Sequence, residues 1–185
     1  MFGRRIVLVV YEDEYLVLLT ERRLKMIVPP KMILVPTDFS DPSKEALDTA
    51  AEFALQFGSE LCLLHVVPMI PDLPNAEALV HEGKYEDKLH SDAEERLQKM
   101  AEDLAKREIH ATVEIGTAND VPMEIVRFAE SENADLIVIA THGLSGWKKF
   151  VLGSVAEKVV QQAPCAVLMI RAKHEDVEQE KAAKA

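Results

Sequence analysis

Five short apolar runs constrain what this chain can fold into more than any other feature of its sequence. They occupy residues 32–36, 61–67, 111–115, 136–140 and 166–170. Between them, apolar residues recur with the 3.6-residue period of an amphipathic helix, as in 46–57 and 89–104. Strand and helix therefore alternate four times. This pattern is typical of an α/β domain with a mostly parallel sheet.

The predicted strands differ in their expected places within the sheet. The run at 61–67 is apolar on both faces, which suits a central strand covered by helices on both sides. The run at 111–115 alternates, which suits a place at the edge of the sheet. Ligands of such sheets bind beyond the carboxyl ends of the strands, where the strand order reverses. The loops after Pro36, Val67 and Ala140 are therefore the places where we expect a site.

Capping residues predict where two of the helices begin and end. Asp41 and Pro42 are typical of an N-cap and a first helical residue, and Gly58 is typical of a helix end. Ser154 and Glu157 have the spacing of a capping box. We therefore expect Ser154 to cap the helix that precedes the last strand.

Length and periodicity together suggest one domain with two appendages. The alternating pattern covers residues 31–171, and the charged segment 172–185 is expected to fray. Residues 1–30 do not fit the pattern. They could form a hairpin from strands at 6–10 and 15–19, or be an upstream extension, with Met26 or Met32 as the true start.

Charge and cysteine content exclude several classes of function. Lysine and arginine number 21 against 32 acidic residues, so the net charge of −11 disfavours nucleic-acid binding. Cys62 and Cys165 lie on apolar strands, and two cysteines cannot form a disulfide framework or a four-ligand zinc site. No apolar segment approaches the ~20 residues needed to span a membrane. We expect a cytoplasmic protein with no membrane partner.

A glycine-rich loop follows the fourth predicted strand. Gly143, Gly146 and Gly153 are three of only seven glycines in the chain. They precede a helix start, where unpaired amides and the helix dipole favour an anion. The spacing of these glycines matches neither the P-loop nor the dinucleotide-binding fingerprint. From these residues alone, the loop is either a phosphate cradle or an ordinary surface loop before a helix.

Three segments resemble the universal stress protein family: ILVPTDFS at 33–40, LHVV at 64–67 and ATHGLSGWKKFVLGSVAE at 140–157. The resemblance covers about residues 32–171. It implies an adenine-nucleotide alpha-hydrolase-like fold, with a five-stranded parallel sheet in the order 3-2-1-4-5 between helices. The strand order then reverses between the first and fourth strands, which places Asp38 and the glycine loop at one crevice.

The ATP-binding branch of the family has the pattern Gly-x2-Gly-x9-Gly-Ser/Thr. Gly143, Gly153 and Ser154 match it, but Ala140 stands where the first glycine is expected, and Leu144 stands where many relatives carry a basic residue. The methyl group of Ala140 could crowd the ribose. The resemblance implies a nucleotide site, with Mg²⁺ accompanying the triphosphate, formed by Pro36, Thr37, Asp38, Val66, Ala140, His142, Gly143, Gly153, Ser154 and Val155.

Within that site the resemblance implies separate roles. Pro36, Thr37 and Asp38 would line the nucleoside side, and the backbone of Val66 would contact adenine. The glycines and the start of the helix would hold phosphates. His142 is expected to pack in the loop or touch a phosphate, and His65 is expected to be structural.

The expected function is that of a stress-response protein with ATP as a regulatory ligand, whose binding orders residues 141–153. The resemblance also implies a homodimer through the last strand, near residues 167–170. One alternative is a nucleotide-free homodimeric interaction module. A slow ATPase is a further alternative, for which His142, Lys148 and Lys149 are the only nearby candidates, so no catalytic residue is assigned.

Overall fold

The computed structural model describes residues 7–11, 14–18, 29–69, 76–141 and 153–171. Its elements are, in order, β1 (Val7–Tyr11), β2 (Glu14–Leu18), β3 (Met32–Pro36), α1 (Asp41–Phe57), β4 (Glu60–Pro68), α2 (Ala76–Ala105), β5 (Ala111–Ala118), α3 (Val121–Ser131), β6 (Leu136–Ala140), α4 (Ser154–Gln162) and β7 (Ala166–Ile170). The predictions for the loop at 142–152 and for the tail at 172–185 lie outside the described residues.

A single sheet runs through the domain, in the order β2-β1-β7-β6-β3-β4-β5. The strands β3 to β7 are all parallel, and counted from β3 their order is 3-2-1-4-5, which confirms the prediction. β5 lies at the edge, as its alternating sequence predicted. β3 lies between β4 and β6, so the strand order reverses beside β3.

The alternating strand side chains build one apolar core on each face of the sheet. Ile33 and Val35 pack with α1 and α2, where Leu97 is fully buried. Leu34 points to the other face and packs with α3 and α4, where Val159 is fully buried. Each face is closed by two helices, so the inner strands must be apolar on both sides.

The predicted start of α1 is wrong by one residue. Ser40, not Asp41, is the N-cap, and the Ser40 hydroxyl accepts a hydrogen bond from the Ser43 N–H. Asp41 is already helical and lies in the first turn, where its charge suits the helix dipole. The predicted end is confirmed, because Gly58 closes the helix with a left-handed φ of 69° and donates its N–H to the Ala54 carbonyl.

β1 and β2 form an antiparallel hairpin that extends the sheet beyond β7. Val7 is opposite Leu18, and β1 runs parallel to β7 with Val7 beside Val167 and Val10 beside Ile170. The edge of β7, where the sequence predicts a second copy of the chain, is therefore paired with β1 of the same chain. An exposed apolar edge strand tends to pair with a strand of another chain, and here β1 of the same chain occupies that edge of β7.

Among the helices in the described ranges, none combines the length and the apolar character needed to cross a bilayer. α2 has 30 residues, but its sequence is rich in charged side chains.

Candidate functional site

A cavity of about 470 Å³ opens at the carboxyl ends of β3 and β6, beside the point where the strand order reverses. This volume lies within the range of small-molecule sites, roughly 300–1,000 Å³. Its walls come from the segment after β3, the end of β4, α3, the end of β6 and the start of α4. The lining residues are Pro36, Thr37, Asp38, Ser43, Leu64, His65, Val66, Pro68, Val121, Ile125, Ile139, Ala140, Thr141, Gly153, Ser154, Val155 and Ala156.

Thr37 fixes the end of β3 against its neighbours. It is 6% exposed, and its N–H donates to the Leu64 carbonyl over 2.8 Å. Its Oγ1 accepts the Phe39 N–H at 3.0 Å and lies 3.0 Å from the Ser43 hydroxyl. The backbone that carries Thr37 and the following Asp38 is therefore held by contacts to both β4 and α1.

Asp38 forms a local turn and also lines the cavity. Its Oδ1 accepts hydrogen bonds from both the N–H and the hydroxyl of Ser40. This is an Asx-type turn, the local role that such an aspartate takes at the end of a strand. The turn orients the carboxylate at the cavity wall, so the structural role does not exclude contact with a ligand.

The start of α4 forms another part of the cavity wall, and it differs from the predicted capping box. Gly153 is the N-cap, its N–H donates to the Thr141 carbonyl over 2.8 Å, and its carbonyl accepts from the Glu157 N–H. Ser154 is already the first helical residue, so Glu157 stands one position too late for a capping box. No side chain in the described ranges caps this helix.

Within residues 7–11, 14–18, 29–69, 76–141 and 153–171, no hydrogen-bond acceptor faces the first-turn amides of α4. The N–H groups at the start of a helix have no partner within the helix, and they carry the positive end of its dipole. Ser154, Val155 and Ala156 occupy these positions, and all three line the cavity. The Gly153 N–H, by contrast, is already engaged by Thr141.

The rest of the cavity wall is mainly apolar. Leu64, Val66, Ile125 and Ile139 belong to the core on the face of α3 and α4. Ala140 lines the cavity but belongs to the core on the other face, with α1. The cavity therefore combines an apolar wall with a polar turn and a helix start, a combination that suits a ligand with a flat apolar part and an anionic part.

The structure brings most of the predicted site residues together. Eight of the ten line this one cavity, namely Pro36, Thr37, Asp38, Val66, Ala140, Gly153, Ser154 and Val155. The other two, His142 and Gly143, lie outside the described residues.

Sequence reasoning missed the contribution of α3 and of Ser43. Val121 and Ile125 of α3 form part of the cavity wall. In the sequence, the apolar period of this helix indicates that such residues are buried, but it does not indicate that they face a ligand. Ser43 is one turn into α1 and only 3% exposed, although serine is usually a surface residue.

The sequence model of the universal stress protein family matches residues 30–171. The chain belongs to this family. Universal stress protein MJ0531 of Methanocaldococcus jannaschii is 38% identical over 147 residues, which are 76% of this chain and 82% of that protein.

Two solved structures show the same fold. The structure of MJ0577, a universal stress protein of M. jannaschii, is 29% identical with a TM-score of 0.70, and the match covers 80% of this chain and all of that chain. The universal stress protein from Archaeoglobus fulgidus in complex with dAMP is 25% identical with a TM-score of 0.52, and the match covers 78% of this chain and 98% of that chain.

Neither of the two cysteines is suited to react. Cys62 is buried and Cys165 half-buried, and burial raises the pKa of each thiol to about 11. Both are therefore protonated at neutral pH and poor nucleophiles. Within the described ranges, no group of three or more histidine, cysteine or acidic side chains is placed to hold a metal ion.

Proposed function

We propose that this universal stress protein binds ATP as a regulatory ligand in the cavity between β3 and β6. The observation that carries the proposal is that one cavity is lined by two groups with complementary chemistry. These are the Asp38 turn and the first-turn amides of α4. The apolar part of the wall suits a purine ring.

In this proposal the phosphates of ATP lie at the start of α4, for an electrostatic reason. The amides of Ser154, Val155 and Ala156 present three donors at the positive end of a helix dipole, which is a common way to bind phosphate. The chain itself is acidic, so local donors rather than overall charge must provide the attraction. The nucleoside then lies toward β3, where the Asp38 carboxylate can accept hydrogen bonds from a ribose or a base.

The departure at Ala140 is compatible with a bound nucleotide. Ala140 is 8% exposed and packs with the α1 core, whereas the apolar wall of the cavity belongs to the core on the opposite face. Side chains alternate across a strand, so the methyl group points away from the face that carries Ile139. Its cost to ligand binding is therefore small in this proposal.

A relative supports the proposal that the protein binds an adenine nucleotide. The Archaeoglobus fulgidus protein has been solved with dAMP, an adenine nucleotide. A triphosphate would bring Mg²⁺ on its own oxygens, since Mg²⁺ usually keeps several waters and binds through substrate phosphates. The protein's part is to hold the phosphate chain and the nucleoside.

Regulation follows if the ligand prefers one conformation of the segment between β6 and α4. A ligand shifts a population only by its differential affinity for the two states. The segment connects Thr141 to Gly153, both at the cavity, so a bound phosphate chain can favour one arrangement of it.

Two unpaired thiols fit a reducing compartment, so we place this activity in the cytoplasm.

Calorimetry and thermal denaturation test this proposal. We expect ATP with Mg²⁺ to release or absorb heat at a one-to-one ratio and to raise the melting temperature by about 5–10 °C at 100 times the dissociation constant. GTP serves as the control for the base. The absence of both heat and stabilisation at millimolar ATP would favour the nucleotide-free interaction module.

We further propose that the homodimer through β7 forms only when β1 leaves this strand, because a second copy and β1 compete for the same edge. The chain's own hairpin pairs with Val167 to Ile170, the strand that a second copy would need. A proline at Val9 removes the N–H of a strand that lies between β2 and β7, so it costs one ladder hydrogen bond.

Sedimentation velocity on the full chain tests this competition. We expect the wild-type chain and Val9→Ala, which keeps the N–H, to sediment as monomers at micromolar concentration. Val9→Pro should shift a substantial fraction to dimer. Equal masses for all three chains across the concentration range would contradict the competition.

A further inference from the structure

Phe39 has a backbone conformation that contacts with other residues must hold in place. Its φ is 63°, in the left-handed region, which is uncommon for a bulky aromatic residue. Such conformations persist only when surrounding contacts determine them, and they cluster at ligand sites. Phe39 directly follows Asp38 and precedes Ser40, the partner of the Asp38 carboxylate.

Two side chains from other elements hold the Phe39 ring. The Arg96 guanidinium of α2 lies over it, with Cζ 3.8 Å from the ring centroid. The His65 imidazole of β4 lies 4.5 Å from it between centroids, at an angle of 32°. At these distances both groups contact the ring. We call Arg96, Phe39 and His65 the Phe39 stack.

The Phe39 stack connects directly to the cavity. His65 Nδ1 lies 2.8 Å from the Thr37 carbonyl, so Nδ1 carries the proton and donates it. The Phe39 N–H donates to Thr37 Oγ1. Both Thr37 and Asp38 line the cavity. His65 therefore contacts both residues that flank Asp38, because it donates to the Thr37 carbonyl and packs against the Phe39 ring.

We propose that the Phe39 stack positions the Asp38 turn for the nucleoside, with Arg96 as a positioning residue outside the cavity lining and His65 as one that also lines the cavity. This inference rests on the proposed function and extends it to Arg96 on α2, which is not among the residues that line the cavity. Without the stack, the left-handed turn can relax and the carboxylate loses its fixed direction. The expected consequence is weaker nucleoside binding in a chain that remains folded.

The charges around His65 make the stack sensitive to pH. Burial lowers the pKa of His65, the positive charges of Arg96 and His90 lower it further, and the Thr37 carbonyl and Asp38 oppose this. Protonation in acid places a second cation against the ring that already faces Arg96. As the pH falls through this lowered pKa of His65, the stack should weaken, and nucleoside affinity should fall with it.

Substitutions at Phe39 separate positioning from folding. Phe39→Tyr keeps the ring, and we expect it to bind ATP within about twofold of wild type. Phe39→Asn tolerates a positive φ but cannot stack, and we expect roughly three- to tenfold weaker binding. Arg96→Gln, at an exposed position, provides a second variant that keeps the fold, and we expect a loss in the same direction.

Two readouts distinguish this inference from the proposed function. Titration of the His65 ring by NMR should show a higher pKa in Arg96→Gln than in wild type, because a neighbouring positive charge is removed. Adenosine, which has no phosphate, should lose affinity between pH 7 and pH 5 in wild type and lose less in His65→Gln. A wild-type chain that binds no ATP overturns the proposed function. Wild-type affinity for ATP in both Phe39→Asn and Arg96→Gln overturns the positioning role alone.

Discussion

Replacing Gly153 by valine is expected to weaken ATP binding about 10- to 100-fold, since overpacking a close-fitting site costs roughly 1–3 kcal/mol. Gly153 lines the cavity immediately before the α4 amides. Its φ of −61° and ψ of 140° are open to any residue, so valine does not strain the backbone. The branched side chain instead occupies space that the phosphates need. Isothermal titration with ATP and Mg²⁺ measures the effect.

Gly153→Ala is the matched control for this experiment. It adds one methyl group at the same backbone geometry, so we expect an intermediate affinity. Both variants should melt within a few degrees of wild type, because the hydrogen bond from the 153 N–H to the Thr141 carbonyl is retained. Wild-type affinity in Gly153→Val would mean that the nucleotide lies elsewhere.

Replacing Leu97 by alanine is expected to cost about 3 kcal/mol of unfolding free energy, which lowers the melting temperature by roughly 6–12 °C. Leu97 is fully buried in the core between α2 and the sheet. Its truncation removes apolar contacts and leaves a cavity that the neighbouring strands cannot fill. Denaturant unfolding followed by circular dichroism measures the change.

Leu55→Ala makes the same chemical change at a site that is largely exposed to solvent. Leu55 lies on α1 with 54% of its surface exposed, so we expect a change within about 0.5 kcal/mol. A similar loss for Leu55→Ala and Leu97→Ala would contradict the assignment of Leu97 to the core. The contrast also tests whether α2 is docked as described, since Leu97 is one of its main buried contacts.

Local physical signals explain why much of the fold was predictable from the sequence. The bounds of β3, β6 and β7 match the predicted runs at 32–36, 136–140 and 166–170. A short continuous apolar run has few positions at which a buried strand can begin or end. The ends of those strands also predicted where the cavity lies, through the rule for strand-order reversal. The apolar runs fix the carboxyl ends of the strands, and the position of the cavity depends on those ends.

Features that depend on contacts between distant segments were not predictable. The N-caps at Ser40 and Gly153 differ by one residue from the predicted ones, because several adjacent residues could serve and tertiary packing decides. The Phe39 stack joins residues from a loop, a strand and a helix, and no local pattern indicates it. The pairing of β1 with β7 joins the two ends of the described chain.

The central claim is that one cavity holds the nucleoside beside Asp38 and the phosphates at the start of α4. A crystal structure of the full chain grown with ATP and Mg²⁺ tests it most directly. We expect density for adenine near Val66, and phosphate oxygens within hydrogen-bond distance of the Ser154, Val155 or Ala156 amides. A nucleotide bound at another surface, or a cavity filled by the protein's own side chains, would contradict the claim.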